Sequence, residues 1–234
     1  MQKSATQLPL RLNPQEVYRL DNFYFSQAEI KQALLAFCEL TTLDFLYLWG
    51  DKASGKSHLL MAIIDQIQTQ QPAKRIVYLP LTELVASSSP EVLRSLEQLD
   101  VLCLDELEAI IGIAEWEEAI FHCFNRLQQT GCKLLIASSH NPAAIKIQLA
   151  DLRSRLATGL VYQLEILDDE AKQQALIVQA QVRGLDLPNE VAQYLLRHHS
   201  RDIHVLMNLL RDLDKASMAA KHRLTIPFVR QVLK

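Results

Sequence analysis

Three features are missing from this sequence, and each absence excludes a class of protein. Basic residues do not outnumber acidic ones, since 24 stand against 27 for a net charge of -3, and a protein built mainly to bind nucleic acid is not indicated. No apolar run reaches the length of a membrane span. Residues 1–10 lack the apolar core of a signal peptide. We therefore expect a cytoplasmic protein with no membrane partner.

Cysteine is scarce as well. The chain has four cysteines and no C-x-x-C pair, and three of the four lie in apolar stretches. We interpret them as buried thiols that behave as small apolar side chains, not as a metal site or a set of disulfides. The four residues are Cys38, Cys103, Cys123 and Cys132.

The sequence does contain a phosphate-binding loop set between a strand and a helix. Residues 44–49 are aromatic and aliphatic and predict a buried strand, and residues 50–57 match G-x-x-x-x-G-K-[ST] at every fixed position. Backbone N–H groups and the positive end of the following helix bind a polyphosphate in such a loop. Lys56 is predicted to hold the β and γ phosphates, and the hydroxyl of Ser57 to ligate Mg²⁺. The predicted loop residues are Gly50, Asp51, Lys52, Ala53, Ser54, Gly55, Lys56, Ser57 and His58.

A second acidic element follows the loop by about fifty residues. Residues 101–106 predict a buried strand that ends in Asp105 and Glu106. An aspartate at the end of such a strand holds Mg²⁺ in phosphate-loop folds, and a following glutamate can orient or deprotonate the attacking water. Without that role for Glu106, the protein would be a nucleotide-bound switch.

Strands alternate with helices over the first two thirds of the chain, which predicts an α/β fold with a five-stranded, mostly parallel sheet. Ser89 and Pro90 predict the start of a helix that ends near Asp100. The fourth strand ends in polar residues that include Ser139, at the edge where open sheets bind ligands. The predicted strands are 44–49, 75–80, 101–106, 133–138 and 161–166.

The character of the chain changes at Asp168, after which only helices are predicted. We expect three parts: an N-terminal arm over 1–19, an α/β nucleotide-binding domain over 20–167 and a small helical domain over 168–234. The last part is too small to be very stable alone, so it should pack on the second.

These features together resemble an AAA+ ATPase module, and three segments resemble the bacterial replication initiator DnaA. They are residues 20–23 (L-D-N-F), 120–125 (I-F-H-C-F-N) and 152–156 (L-R-S-R-L). The resemblance implies that Asp21 and Phe23 help to hold adenine and that Arg155 is an arginine finger. A surface ion pair between Arg155 and Asp151 is the structural alternative, worth at most about 1 kcal/mol.

Two further positions take their predicted roles from the same resemblance. Ser139 falls at the polar sensor of the fourth strand, although a helix-capping serine is an equal alternative. His204 falls where the helical lid usually carries a sensor arginine. Because an imidazole cannot replace a bidentate guanidinium, either Arg201 substitutes or phosphate sensing by the lid is weak.

The N-terminal arm narrows the resemblance further. From spacing alone, residues 7–12 (Q-L-P-L-R-L) favour a loose tail or an edge strand. They are similar, however, to the sliding-clamp-binding peptide of the DnaA-related regulators of the Hda family, with Gln7, Leu8, Leu10 and Leu12 as the groove-filling residues. No DNA-binding domain of the initiator type is expected after the lid.

Membership of that family would imply an inhibitor of DNA replication initiation. It would bind the DNA-loaded sliding clamp (the β subunit of DNA polymerase III) and stimulate hydrolysis of ATP held by DnaA, with Arg155 acting in trans. ADP or ATP with Mg²⁺ would be its cofactors. The protein would contact DNA only indirectly, and a homodimer is compatible with this role. The alternative is a self-assembling AAA+ ATPase, such as a helicase loader, that uses Glu106 for its own turnover.

Overall fold

A five-stranded sheet forms the centre of the computed structural model, which describes residues 18–40, 44–96, 98–220 and 222–233. The strand order is β2-β3-β4-β1-β5, and every described pairing is parallel. This confirms the predicted parallel sheet. The strands are β1 (Phe45–Trp49), β2 (Ile76–Pro80), β3 (Val101–Asp105), β4 (Lys133–Ser138) and β5 (Leu160–Gln163).

Helices cover both faces of this sheet because its central strands are apolar on both sides. On β1, Leu46 and Leu48 point to one face and Phe45 and Tyr47 to the other, as the two-residue period of a strand requires. The first face packs on α1 and α2, and the second on α3, α4 and α5. The helices are α1 (Ala28–Cys38), α2 (Lys56–Gln70), α3 (Leu81–Ser87), α4 (Ala114–Thr130) and α5 (Ala150–Leu156).

Helix α4 shows how sequence spacing produces this packing. Its buried residues fall on one stripe of the helix, and the helix ends at Gly131, whose φ of 72° is left-handed, as predicted for a glycine cap. The buried apolar residues on this helix are Trp116, Ile120, Cys123, Phe124 and Leu127.

The C-terminal part consists of helices in the described residues, with a core of its own. The side chain of Asp168 caps the first of them by accepting a hydrogen bond from the N–H of Ala171 at 2.7 Å. Leu176, Val191, Leu206 and Leu213 are among the side chains that form the core between these helices. The helices are α6 (Asp169–Val182), α7 (Asn189–His198), α8 (Ile203–Ala220) and α9 (Ile226–Val232).

The helix predicted from Ser89 to Asp100 is wrong. Among the described residues of this stretch, a single 3-10 turn forms, over Pro90–Leu93. Arg94 has an extended backbone, with ψ at 149°, and Ser95 is left-handed, with φ at 67°, so the helical path is broken after four residues. Helix α3, directly after β2, was not predicted.

The fifth strand also differs from its prediction. It occupies Leu160–Gln163 rather than residues 161–166, since the N–H of Leu164 makes the last contact, to the carbonyl of Trp49 at 2.7 Å. The four cysteines are buried, as predicted, and none is in a disulfide. No helix among the described residues is both long enough and apolar enough to cross a membrane. The predicted clamp-binding residues 7–12 lie outside the described part of the chain.

Candidate functional site

The phosphate loop joins the end of β1 to the start of α2, as the motif predicts. Gly55 is left-handed, with φ at 92°, and a Cβ atom there would lie 2.5 Å from the ring of Phe23. Glycine therefore supplies both the backbone angle and the space in which the ring lies. Phe23, predicted from the L-D-N-F segment to hold adenine, is thus placed directly against the loop.

The ammonium group of Lys56 lies inside the loop. It donates hydrogen bonds to the carbonyls of Gly50 at 2.7 Å and Asp51 at 2.8 Å, and to the hydroxyl of Ser54 at 3.4 Å. Burial lowers the pKa of Lys56, and the nearby carboxylates oppose that effect, with Glu108 contributing most. The remaining carboxylates, in decreasing order of effect, are Asp105, Asp51 and Glu106. The lysine and the acids at the end of β3 therefore share one electrostatic site.

Asp105 is held rigidly at the end of β3. Its side chain is 1% exposed and accepts hydrogen bonds from the hydroxyl of Tyr78 at 2.8 Å and from the N–H of Glu106 at 2.9 Å. Burial, followed by the charge of Asp105, raises the pKa of Tyr78, which keeps its hydroxyl a donor. Glu106 is exposed and has a left-handed backbone, with φ at 57°.

These residues fit a Mg²⁺ ion that is held jointly with nucleotide phosphates. Among the described residues, no cluster of three or more His, Cys, Asp or Glu side chains could hold a metal ion alone. Mg²⁺ is bound in such sites by one or two protein oxygens, with phosphate and water completing the octahedron. Asp105 and the hydroxyl of Ser57 are oxygen ligands of this type.

A cavity of about 270 Å³ extends from the loop to the helical domain. Predicted residues Phe23 and His204 line it from opposite sides, along with the loop residues from Ala53 to His58. The ring of His58 lies 3.2 Å from the side-chain oxygen of Asn22, and its centroid is 5.5 Å from that of Phe23. Such a concave site with aromatic walls and a few polar groups is typical of small-molecule binding.

Several lining residues were missed by the sequence reasoning, most of them on α6 and α8. Arg183 donates to the side-chain oxygen of Gln179 at 2.6 Å, and Gln179 donates to the carbonyl of Asn22 at 2.7 Å. Arg211 lies on the cavity wall near His204. The signal was helical spacing, because residues 175, 179 and 183, and residues 204, 207 and 211, each form one stripe.

Several predicted site residues do not reach this cavity. The side chain of Asp21 is 75% exposed and pairs with Arg19 at 3.2 Å. Arg201, the suggested substitute for a sensor arginine, is also 75% exposed and pairs with Asp169 at 3.5 Å. Gly50, Asp51 and the exposed Lys52 belong to the loop around Lys56 and not to the cavity wall.

Ser139 lies just beyond the end of β4. Its N–H donates to a carboxylate oxygen of Glu108 at 2.9 Å, and its hydroxyl is 3.0 Å from Nδ1 of His140. The same oxygen of Glu108 accepts from the hydroxyl of Ser138 at 3.0 Å. Ser139 therefore stands beside the acidic end of β3, and Glu108 is a further residue of this site that the sequence reasoning missed.

Arg155 lies at the opposite end of the sheet from the phosphate loop. It is half-buried, and it donates to the side-chain oxygen of Gln128 at 3.4 Å, near the end of α4. The hydroxyl of Thr158 donates to the carbonyl of Arg155 at 2.7 Å, just before β5 begins. Among the described residues, no ion pair joins Arg155 to Asp151, and the side chain of Arg155 contacts Gln128 instead.

The fold and the site together define a phosphate-loop protein of the AAA+ class. The profile of the bacterial DnaA ATPase domain matches residues 16–163, and the profile of the Hda lid domain matches residues 169–233. A protein of Haemophilus influenzae described as uncharacterized is 41% identical over 232 residues, which are 97% of this chain and 98% of that protein. The chain belongs to the bacterial DnaA ATPase-domain family and ends in an Hda-type lid.

Solved structures show the same fold. Domain III of the replication initiation protein DnaA of Thermotoga maritima has a TM-score of 0.76 and 23% identity, covering 92% of this chain and 95% of its own. AMPPCP-bound DnaA of Aquifex aeolicus has a TM-score of 0.70 and 21% identity, covering 86% of this chain and 65% of its own. The Holliday junction branch migration motor RuvB of Thermotoga maritima has a TM-score of 0.60 and 18% identity, covering 90% of this chain and 69% of its own. The predicted AAA+ architecture with a helical lid is confirmed.

Proposed function

We propose that this protein is a regulator that promotes hydrolysis of ATP held by DnaA, with Arg155 completing the partner's active site. The observation that carries the proposal is the place of Arg155 in the fold. β1 has five residues, which span about 17 Å at about 3.3 Å each. Arg155 lies near the beginning of the strands and Lys56 at their ends, and this separation supports a role for Arg155 at a neighbour's nucleotide and not at its own.

The proposed chemistry is electrostatic. A guanidinium placed against the transferring phosphoryl group stabilises the charge that develops there, and an arginine finger is worth roughly 10³–10⁵ in rate. The contact between Arg155 and Gln128 is long, at 3.4 Å, and lies on an exposed side. A stronger bidentate contact with a phosphate would readily replace it.

The first experiment measures hydrolysis of DnaA-bound ATP in the presence of clamp-loaded DNA. Arg155→Ala is expected to lower the stimulation at least a hundredfold, since the finger charge is lost. Arg153→Ala is the matched control, because Arg153 is exposed on the same helix, and it should retain most of the stimulation. Equal stimulation by Arg155→Ala and wild type would exclude the finger.

The protein's own site is proposed to bind ADP or ATP. The AMPPCP-bound relative, the loop geometry around Lys56 and the aromatic wall at Phe23 support an adenine nucleotide. When bound, Mg²⁺ supplies charge neutralisation at the phosphates, and Asp105 and Ser57 would hold it. Glu106 and Ser139 remain the predicted water-orienting acid and sensor, and they make weak intrinsic hydrolysis a part of this proposal.

Attachment to the sliding clamp is proposed from residues 7–12. Two regulators on one clamp ring would raise the local concentration of arginine fingers near DNA. In a pull-down with the clamp, the double variant Gln7→Ala with Leu10→Ala should fail to bind, whereas Arg155→Ala should bind like wild type. Clamp binding that survives the double change would remove this segment from the proposal.

The runner-up is a self-assembling ATPase such as a helicase loader. It is favoured by the same observation, because a finger far from its own loop would also serve a second copy of this chain. It predicts ATP-driven oligomers and an intrinsic hydrolysis that Glu106→Gln abolishes. Sedimentation with ADP and with AMPPCP separates the two functions, since a regulator of DnaA needs no nucleotide-driven self-assembly.

A further inference from the structure

Glu108 makes contacts that the proposed chemistry does not yet use. It lies on the 3-10 turn Leu107–Ile110, which follows β3. One of its carboxylate oxygens accepts the N–H of Ser139 at 2.9 Å and the hydroxyl of Ser138 at 3.0 Å. A single acidic side chain thus joins the segment after the third strand to the polar end of the fourth.

The contacts of Glu108 continue to the phosphate loop. The carbonyl of Ser138 accepts the N–H of Gly50 at 3.2 Å, so Glu108, the end of β4 and the first loop residue form one hydrogen-bonded series. The charge of Glu108 also acts on Lys56 more strongly than any other carboxylate that affects it. Glu108 therefore contacts the end of β4 by hydrogen bonds, and its charge acts on Lys56 of the phosphate loop.

Glu108 is ionised in this setting although it is half-buried. Burial by itself raises the pKa of Glu108, but hydrogen bonds from the backbone of Ser139 and of Glu108, and from the hydroxyls of Ser139 and Ser138, lower the pKa below its ordinary value. Glu106 makes no contacts of this kind: it is exposed, and its carboxylate has no hydrogen bond within the described part of the chain.

We propose that Glu108 is a positioning residue of the nucleotide site, and the proposal rests on the nucleotide binding proposed above. Its carboxylate holds the end of β4, and Ser139 directly after it, against the phosphate loop. Ser139 then has a fixed place beside the terminal phosphate, so the site distinguishes a triphosphate from a diphosphate. The acid acts through Ser139 and does not itself contact the nucleotide.

The test compares affinities for AMPPCP and ADP, each with Mg²⁺, across four forms of the full chain. Glu108→Gln and Glu108→Ala both lack the charge, so the difference between their AMPPCP-to-ADP affinity ratios reports the hydrogen bonds alone. Glu108→Asp and wild type share the charge and differ in the length of the side chain that carries the carboxylate. In each pair we expect the shorter side chain to lower the preference for AMPPCP over ADP about fivefold, the effect of one hydrogen bond of ordinary strength.

General destabilisation would not produce this result. Both ligands use the same loop and cavity, so partial unfolding changes the two affinities together and leaves their ratio unchanged. Glu118→Gln is the matched control, since Glu118 is exposed on α4, and its ratio should equal that of wild type. Thermal melts show which variants fold; if Glu108→Ala does not, the pair of Glu108→Asp and wild type decides.

Three outcomes are decisive. A ratio that falls in the shorter member of each folded pair supports the positioning role. Ratios within twofold of each other in both pairs, with ADP still bound, overturn that role and leave the proposed nucleotide binding intact. A wild-type chain that binds neither nucleotide overturns both proposals.

Discussion

At the scale of single residues, Gly55 of the phosphate loop and Gly184 both have a left-handed backbone but differ in the space around them. Gly55 has φ at 92° and Gly184 has φ at 73°. A Cβ atom at Gly55 would lie 2.5 Å from Phe23, whereas a Cβ atom at Gly184 would meet nothing within 4 Å. At both positions, any other residue would destabilise the folded state through the left-handed backbone. Only at Gly55 would its side chain also clash with a neighbouring residue.

This contrast predicts the effects of two alanine variants. Gly184→Ala should cost about 1–2 kcal/mol of unfolding free energy from the backbone alone and leave nucleotide affinity within twofold. Gly55→Ala should cost more and weaken nucleotide binding at least tenfold, because the new methyl group displaces Phe23. Urea unfolding and nucleotide titration check both effects. Equal affinities in the two variants would contradict the role of the aromatic wall.

The cysteines give a second prediction at this scale. Burial raises the pKa of both Cys38 and Cys132 to about 12, and burial raises the pKa of Cys103 as well. The thiolate is the reactive form, so iodoacetamide at pH 8 should modify these residues at least tenfold more slowly in the folded protein than in urea. Mass spectrometry of digested samples measures the rates. Rapid modification of the folded chain would show that these cysteines are not enclosed.

At the scale of elements, a buried carboxylate binds backbone N–H groups at the start of α5, the helix that carries Arg155. Glu117, on α4, is 1% exposed and accepts the N–H groups of Gln148 and Leu149, both at 2.9 Å, and of Gly112 at 2.9 Å. Leu149 is the residue directly before α5. The buried acid thus finds hydrogen-bond partners for its charge in three backbone N–H groups, and it fixes the start of α5.

Removing Glu117 should therefore loosen α5. Glu117→Ala removes three hydrogen bonds to a charged acceptor and should cost at least about 2 kcal/mol of unfolding free energy, with a loss of DnaA stimulation but not of nucleotide binding. Glu118→Ala, its exposed neighbour on α4, should change stability by less than about 0.5 kcal/mol. Urea unfolding and the stimulation assay provide the measurements. Full stimulation by a folded Glu117→Ala protein would show that Glu117 is not needed to position Arg155.

At the scale of the whole molecule, the lid and the sheet domain meet across the cavity beside the phosphate loop. Gln179 of α6 is 7% exposed, and its side chain donates to the carbonyl of Asn22 at 2.7 Å. The cavity is lined on one side by the phosphate loop and on the other by residues of α6, by Arg183 directly after α6, and by residues of α8 such as His204. A ligand that fills it contacts both domains and should stabilise them together.

Hydrogen exchange tests that expectation. Bound ADP should protect the start of α2 together with α6 and α8, because the cavity is built from all three. Helices α7 and α9 do not line the cavity, so they serve as internal controls and should change little. Protection confined to α2 would show that the lid does not close on the nucleotide.

The local motifs could be predicted because each is a short, contiguous pattern. The phosphate loop, the acid at Asp105 and the strand alternation depend on neighbours within a few residues. Prediction failed where local signals compete: Ser89 and Pro90 start a turn, yet Ser95 adopts a left-handed backbone that ends it. Glu108, Arg183 and Arg211 were missed because their roles depend on contacts between segments far apart in the chain.

The sequence by itself determined the succession of the five strands along the chain, the phosphate loop and the change to an all-helical end, because periodicity and turn chemistry act over short distances. Only the tertiary structure decided that Arg155 stands at the far end of the sheet from Lys56, and that Glu108 binds β4. Both facts depend on how the parallel strands are ordered in space. Packing on the two apolar faces of the sheet fixes that order, and a pattern along the sequence does not record it.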